Sequence, residues 1–355
     1  MDAPLENRRQ EIEESGVLSL RSLYSAAGRV PVWIVTWGSL FGLSLIVALP
    51  WYAWFEGQVG SRYAPGEATG FLSAVFRYDH ASSLEALNLG SAQSGAIVAF
   101  LAILLGVFFA GGWLQVILER TRGHSLRRFF YGGSRYFWRF FRVLLLTLVV
   151  LAFFGWLIYG SPFEKWILGA WMEVPEKDWS KLESLDSESS LFYLRATQSG
   201  LFALVFGFTL TWADYTRTRL ALQNTHSSVW GGLTTLITML RHPVLCLRPM
   251  LVLLLAEALV LFAMAWLVQR IEGGLVPDGQ GEIAGTGTVW LLFVLSQLAL
   301  IWRAVIRGAR YHATAAVSQS IVRPLSRPDP WKESIGGPGG PRYPLEEGDE
   351  YGVAL

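Results

Sequence analysis

The chain has 355 residues, of which 52% are hydrophobic and only 16% are charged. Because a soluble domain of this size carries about a quarter charged residues, the composition excludes an ordinary soluble globular protein. A formal net charge of +1 provides no bulk attraction to nucleic acid, and the single cysteine excludes an intrachain disulfide and a cysteine-based metal cluster.

The N-terminal segment, residues 1–31, carries charges throughout and lacks the apolar core of a secretory signal peptide. We therefore expect the first long apolar run to be retained as a membrane span. The stretch GVLSLRSLYSAAGRVP within this segment is expected to form a short interfacial helix that leads into the span.

Six segments approach the roughly 20 mostly apolar residues that a membrane-spanning helix needs. They are Val32–Phe55, Ala96–Leu118, Val143–Tyr159, Ala196–Ala213, Met250–Val268 and Thr288–Ile301. Backbone groups in lipid must be satisfied internally, and no segment has the two-residue alternation of a barrel strand. The predicted fold class is all-α, a polytopic membrane protein with six transmembrane helices.

The positions of lysine and arginine predict the orientation of these spans. Segments 1–31, 119–142, 214–248 and 303–355 hold 4, 7, 4 and 7 of them, which is 22 of the 29 in the chain. Since basic residues accumulate on the cytoplasmic side, both termini are expected in the cytoplasm, and the localisation that follows is a bacterial inner membrane. The proline-, glycine- and charge-rich residues 319–355 are expected to form a disordered cytoplasmic tail.

An internal repeat emerges when the chain is shifted by 99 residues. Trp113 then meets Trp212, Arg120 meets Arg219, and Gly132-Gly133 meets Gly231-Gly232. The predicted repeat unit is a cytoplasmic amphipathic segment followed by two spans, in three parallel copies. The expected domains are 1–31, 32–118 with an outer loop at 56–92, 119–213 and 214–318, followed by the tail.

The stretch ERTRGHSLRRFFYGGSRYFWRFFR, residues 119–142, concentrates basic and aromatic residues. On a helix, Arg128, Arg135, Arg139 and Arg142 fall on one stripe, with Leu126, Phe130, Phe137 and Phe141 on the opposite side. This pattern predicts a helix in the inner headgroup layer that contacts anionic lipid headgroups, and it disfavours nucleic acid. A break or bend is expected at Gly132-Gly133 because glycine weakens a helix.

Glu257 is the most informative polar residue within a predicted span. An isolated ionised acid near the bilayer centre costs several kcal/mol, so we expect Glu257 to be protonated or paired, with Gln297 and Ser296 at similar depth. Two interpretations remain open: a proton or cation site in a transport path, or a protonated carboxyl that fastens span five to span six.

Two acid–arginine pairs follow predicted spans at a spacing of three residues, Glu119 with Arg122 and Asp214 with Arg217. Each is expected to form an intrahelical ion pair or to join a network that closes a cytoplasmic gate. Small residues, Gly38 with Gly42 and Gly106 with Ala110, permit close helix packing or a homodimer. No nucleotide-binding, hydrolase or metal motif occurs, and no cofactor is expected.

The recurring Trp113/Trp212, Arg120/Arg219 and aromatic-Gly-Gly blocks, across roughly residues 15–320, resemble those of uncharacterised bacterial six-helix membrane proteins. In outline the chain is also similar to the membrane domain of some glycerophosphodiester phosphodiesterases, without their hydrolase domain. The resemblance implies a membrane protein and transfers no catalytic residue. The sequence favours a non-enzymatic scaffold or accessory subunit with a membrane-protein partner; a small-solute or lipid transporter using Glu257 is the alternative.

Overall fold

The computed structural model describes residues 18–59, 80–119, 124–163, 188–273 and 286–321, together with 78, 165 and 166. Every regular element in these ranges is a helix, which confirms the all-α class. The long helices are α1 (Leu18–Ala27), α2 (Val30–Val59), α3 (Ala81–Leu118), α4 (Ser125–Tyr159), α5 (Glu188–Gln223), α6 (Ser228–Arg241), α7 (Pro243–Gly273) and α8 (Thr286–Ile321). The N-terminal residues 1–17, most of the predicted tail and the centres of the outer loops lie outside the described residues.

Within the described ranges, five helical segments are long and apolar enough to cross a membrane. They are Val30–Gly57, Ala81–Leu118, Ser125–Phe163, Pro243–Ile271 and Trp290–Ile321. These segments fit a multi-pass membrane protein and coincide with five of the six predicted spans. The remaining one, Ala196–Ala213, lies in α5, which has the length but is diluted by polar residues such as Gln198, Thr209 and Thr211. That span remains a prediction.

Large apolar side chains cover the outside of the spanning segments. On α7, for example, Leu259 and Phe262 are 70% and 73% exposed, and only 6% of its most apolar stretch is buried. A water-soluble protein rarely exposes contiguous apolar surface on this scale. Such surfaces are stable when lipid is the solvent, as expected for membrane-spanning helices.

The chain divides into two compact units. In the described ranges, unit A consists of the residues up to Arg135 together with Pro249–Ala313, and unit B consists of Tyr136–Arg248 with the end of α8 from Thr314. Helices α4, α7 and α8 each contribute residues to both units.

In unit A, glycines bring α3 and the start of α4 into backbone contact. A Cβ atom on Gly111 would lie 2.6 Å from the Gly132 carbonyl oxygen, and one on Gly112 would lie 2.5 Å from the Phe129 ring. Gly133 packs beneath the ring of Phe108. The absence of side chains at these positions is therefore what permits the two helices to pack so closely.

The expected interruption at Gly132-Gly133 is not observed, since α4 runs as one helix through both glycines. The cost of two glycines in a helix, about 1 kcal/mol each, is offset by the close packing against α3. The junction between the amphipathic segment and its span is also continuous in α4. The other two such junctions are interrupted: α1 ends before Gly28-Arg29, and α6 ends at Arg241, where Pro243 starts α7. Proline is favoured at the first position of a helix and disfavours helical geometry in the residue before it.

The other helices of unit A are joined by side-chain contacts. The Trp37 indole N–H donates to Gln297 Oε1 at 3.1 Å, and the Phe41 and Phe293 rings lie 6.4 Å apart, which sets an antiparallel register between α2 and α8. Helix α1 is held by two serines: Ser19 donates to the Pro249 carbonyl, and Ser22 hydrogen-bonds His312.

Unit B is organised around the C-terminal half of α5. Trp212 donates to the Gly232 carbonyl at 2.9 Å, and the Tyr215 hydroxyl donates to the Cys246 carbonyl at 2.9 Å. Thr218 hydrogen-bonds Thr314 of α8 at 3.0 Å, and Arg219 donates to the Thr234 carbonyl and the Thr238 hydroxyl of α6. Polar residues that lower the apolarity of α5 therefore connect it to three other helices.

Candidate functional site

Glu257 is the centre of a charged cluster in unit A. Its Oε1 lies 3.6 Å from Arg303 Nε, and its Oε2 lies 3.8 Å from Arg310 Nη1, so one carboxylate of α7 bridges two arginines of α8. The Glu257 side chain is 18% exposed, whereas those of Arg303 and Arg310 are 60% and 13% exposed. These contacts join α7 to α8 and supply the counter-charge that an ionised acid in an apolar span requires.

The two polar residues expected beside Glu257 make other contacts. Gln297 accepts the hydrogen bond from Trp37, and the Ser296 hydroxyl donates to the Phe293 carbonyl of its own helix. Both lie on α8 before Arg303. The structure thus brings Glu257 together with the arginines that follow the sixth predicted span.

Arg307 belongs to the same face of α8, four residues after Arg303 and three before Arg310. Its guanidinium lies against α3 at Gly106, where a Cβ atom would be 3.0 Å from Nη2. The small-residue pattern predicted close helix packing at Gly106, whereas these three arginines were not among the predicted site residues. Their spacing of four and three residues places them on one helical face and could have identified them from the sequence.

Arg29, between α1 and α2, is a half-buried cation of unit A. Its Nη1 atom is buried and makes no hydrogen bond within the described part of the chain. Burial lowers the pKa of Arg29 because it disfavours the charged form.

The four arginines predicted to contact lipid headgroups have different environments. Arg128 is buried, at 4% exposure, with its Nε 3.2 Å from Glu119 Oε2. Arg135 donates to the Tyr131 hydroxyl at 3.3 Å, and Arg139 donates to Asn224 Oδ1 at 2.6 Å, whereas Arg142 is exposed. Leu126 and Phe130 on the opposite side are exposed as well. The buried face of α4 lies between the basic and apolar stripes, so part of the basic stripe contacts protein.

The predicted acid–arginine pairs differ in outcome. Asp214 Oδ1 lies 3.1 Å from Arg217 Nη1, with both side chains almost fully buried in unit B. Arg122 lies outside the described residues, so the Glu119–Arg122 pair remains a prediction. Glu119 contacts Arg128 and accepts a hydrogen bond from Gln115.

The two tryptophans aligned by the repeat have different surroundings. Trp212 donates a hydrogen bond to Gly232 and covers it, whereas the Trp113 ring packs over Gly308 of α8, where a Cβ atom would lie 2.6 Å away. The glycine aligned with Gly232, Gly133, packs beneath Phe108 instead.

A cavity of about 20 Å³ lies in unit B, which is room for about one water molecule. Its lining includes Tyr215, Arg219, Thr235, Thr238 and Cys246. This volume is far below the several hundred Å³ of a typical small-molecule site.

No group of three or more His, Cys, Asp or Glu side chains in the described ranges has the arrangement of a metal site. No family model, no curated protein and no solved structure matches the chain.

Proposed function

We propose that this chain is a non-enzymatic, multi-pass protein of a bacterial inner membrane that serves as a scaffold or accessory subunit of a membrane complex. The observation that carries the proposal is that acids and arginines pair between neighbouring helices. Glu257 joins α7 to α8 through Arg303 and Arg310, and Glu119 joins α3 to α4 through Arg128. Acids and bases within a membrane bundle that neutralise one another across helices fix its geometry.

Six spans with both termini cytoplasmic are part of this proposal. Of the 29 lysines and arginines, 22 lie in the segments predicted to be cytoplasmic and 7 lie elsewhere, which supports that orientation. The polar content of α5 is compatible with lipid because the Thr209 and Thr211 hydroxyls donate to the Val205 and Gly207 carbonyls of the same helix. Satisfied hydroxyls cost less to place in lipid than unsatisfied ones.

Cysteine labelling tests this topology. In a Cys246→Ala background, Glu176→Cys and Asp278→Cys should react with a membrane-impermeant maleimide on intact cells. His226→Cys, between α5 and α6, should react only after permeabilisation. Removing the Cys246 side chain leaves its carbonyl in place to accept the Tyr215 hydrogen bond. Equal labelling of Glu176→Cys and His226→Cys on intact cells would show that α5 does not cross the membrane.

Glu257→Gln separates the scaffold from the alternative, a transporter that uses Glu257 as a proton or cation site. For a scaffold, the variant should retain its co-purifying chains in a gentle-detergent pull-down. Liposomes that contain the wild-type chain should show no pH-driven flux. Weakened ion pairs should lower the free energy of unfolding by about 1–2 kcal/mol, between the values for surface and buried pairs. The control is Glu85→Gln, which changes an exposed acid on α3. A pH-driven flux that wild type shows and Glu257→Gln lacks would instead establish the transporter.

A further inference from the structure

Three arginines form a positively charged stripe on α8. Arg303, Arg307 and Arg310 occupy one face, and the first of them follows Ile301, the end of the sixth predicted span, by two residues. The stripe therefore begins where an apolar segment gives way to the headgroup layer. Because hydrocarbon cannot solvate guanidinium groups, this level of the bundle fits the inner headgroup layer better than the bilayer centre.

Glu257 neutralises only part of this charge. Its contacts of 3.6 Å and 3.8 Å are longer than ordinary charge-assisted hydrogen bonds, so the carboxylate acts as a counter-ion at moderate distance. Glu119, another acid of unit A near the arginine-rich helix ends, is paired with Arg128. Among the described acids of this unit, the rest, Glu56, Glu85 and Glu272, lie toward the opposite helix ends. Arg307, the middle arginine of the stripe, forms no ion pair with an acid in the described ranges, so the stripe keeps an excess of positive charge.

Gly106 makes room for one of these guanidinium groups. The Arg307 Nη2 atom lies 3.0 Å from the position that a Cβ atom on Gly106 would occupy. A side chain there would push the guanidinium away from α3. The glycine therefore fixes where the central charge of the stripe sits.

Arg29 is placed at the same level by the register of α2 and α8. Trp37 meets Gln297 and Phe41 meets Phe293, so the antiparallel helices bring residue 29 level with the Arg303–Arg307 stretch. The buried Nη1 of Arg29 makes no hydrogen bond within the described residues. A buried guanidinium donor without an acceptor is costly, and an anion at this level would supply one.

We propose that Arg29, Arg303 and Arg307 bind the phosphate of an anionic phospholipid headgroup, with Glu257 and Arg310 as positioning residues. Arginine suits this ligand because its planar donors pair with two phosphate oxygens at once. The excess positive charge favours a headgroup with net negative charge over a zwitterionic one. This inference does not depend on the scaffold role, since lipid affinity belongs to the isolated chain.

Native mass spectrometry of the full chain in a neutral detergent tests the proposal, with phosphatidylglycerol and phosphatidylcholine as the probes. Wild type should retain phosphatidylglycerol in preference to phosphatidylcholine. Arg307→Gln should weaken phosphatidylglycerol binding about tenfold, since one charged donor group is lost. The matched control is Arg241→Gln, which removes an exposed arginine of α6 outside the predicted headgroup-contacting stripe and should leave the affinity unchanged.

Gly106→Ala is the second variant. It keeps every charge but displaces the Arg307 guanidinium, whose flexible end can move, so the fold should be retained. We expect a smaller loss of affinity than for Arg307→Gln. Millimolar inorganic phosphate forms a separate arm: displacement of the lipid shows that the phosphate group alone is recognised, and persistence of the lipid shows that its glycerol and chains are also needed.

Two results would overturn the proposal. One is phosphatidylglycerol affinity in Arg307→Gln equal to that of wild type. The other is an equal loss in Arg241→Gln, which would indicate non-specific attraction to any basic surface. Either result leaves the pull-down and flux measurements on the scaffold role unaffected.

Discussion

Gly132→Ala is expected to destabilise the protein, although alanine is the better helix former. The substitution gains about 1 kcal/mol of helix propensity. Its Cβ atom, however, would collide with the Gln115 Cβ and lie 2.7 Å from the Gly111 carbonyl oxygen. Neither atom can yield without a shift of the α3 backbone. We expect a net loss of about 2–3 kcal/mol, measured as a lower melting temperature of the full chain in detergent.

Gly42→Ala is the matched control. It lies in the GxxxG pattern of α2, yet a Cβ atom there would have nothing within 4 Å. With no collision to offset the gain in propensity, the variant should melt at or slightly above the wild-type temperature. If Gly132→Ala melted as high as Gly42→Ala, the close contact between α3 and α4 would be wrong.

Apolar length was the most reliable feature of the sequence. It alone located five helices that fit membrane spans, because a helix that crosses lipid needs about 20 apolar residues. It underestimated their extent: the second predicted span starts at Ala96, whereas α3 starts at Ala81. Hydropathy marks the hydrocarbon boundary, and a helix can continue beyond it. A small-residue motif likewise does not reveal whether a neighbouring helix is present.

The charged cluster was predictable in part. A lone acid in an apolar run stood out by composition, so Glu257 was identified, along with the need for a partner. The partners Arg303 and Arg310 were missed because sequence gives depth along a helix, whereas the pairing depends on how α7 and α8 are rotated toward each other. Gln297 was expected at that depth and instead faces Trp37 of α2.

The repeat illustrates a similar limit. Trp113 and Trp212 align in sequence, yet one packs over Gly308 and the other hydrogen-bonds Gly232. Alignment identifies equivalent positions in a chain but not equivalent neighbours. The short helices α1 and α6 precede α2 and α7, whereas the aligned amphipathic stretch of α4 is continuous with its span. The three-fold repeat therefore remains a prediction.

Asp214→Asn is expected to be the most destabilising single substitution in unit B. Asp214 and Arg217 are nearly inaccessible, and their side-chain atoms lie 3.1 Å apart. Asparagine preserves the shape of the side chain but leaves the Arg217 charge buried without its counter-ion. Breaking a buried pair from one side costs about 3–5 kcal/mol, which should lower the melting temperature strongly or prevent isolation of the folded chain.

Arg241→Gln provides the baseline for that measurement. Arg241 lies exposed in the last turn of α6, so its replacement should change the free energy of unfolding by no more than about 0.5 kcal/mol. A cost for Asp214→Asn within that range would show that the pair is solvated and contributes little to the fold.

The double variant Asp214→Asn with Arg217→Met distinguishes a lost charge partner from lost packing. Each single change leaves one buried charge without its counterpart, whereas the double change removes both charges and keeps most of the volume. If electrostatic pairing dominates, the double variant should be less destabilised than the sum of the single variants by about 1–3 kcal/mol. Additive losses would mean that each side chain acts through separate contacts, and the pair would then not be the element that fixes this part of α5. A positive coupling would show that two opposite charges can be removed together at lower cost than either alone, as expected where the surroundings are largely dry.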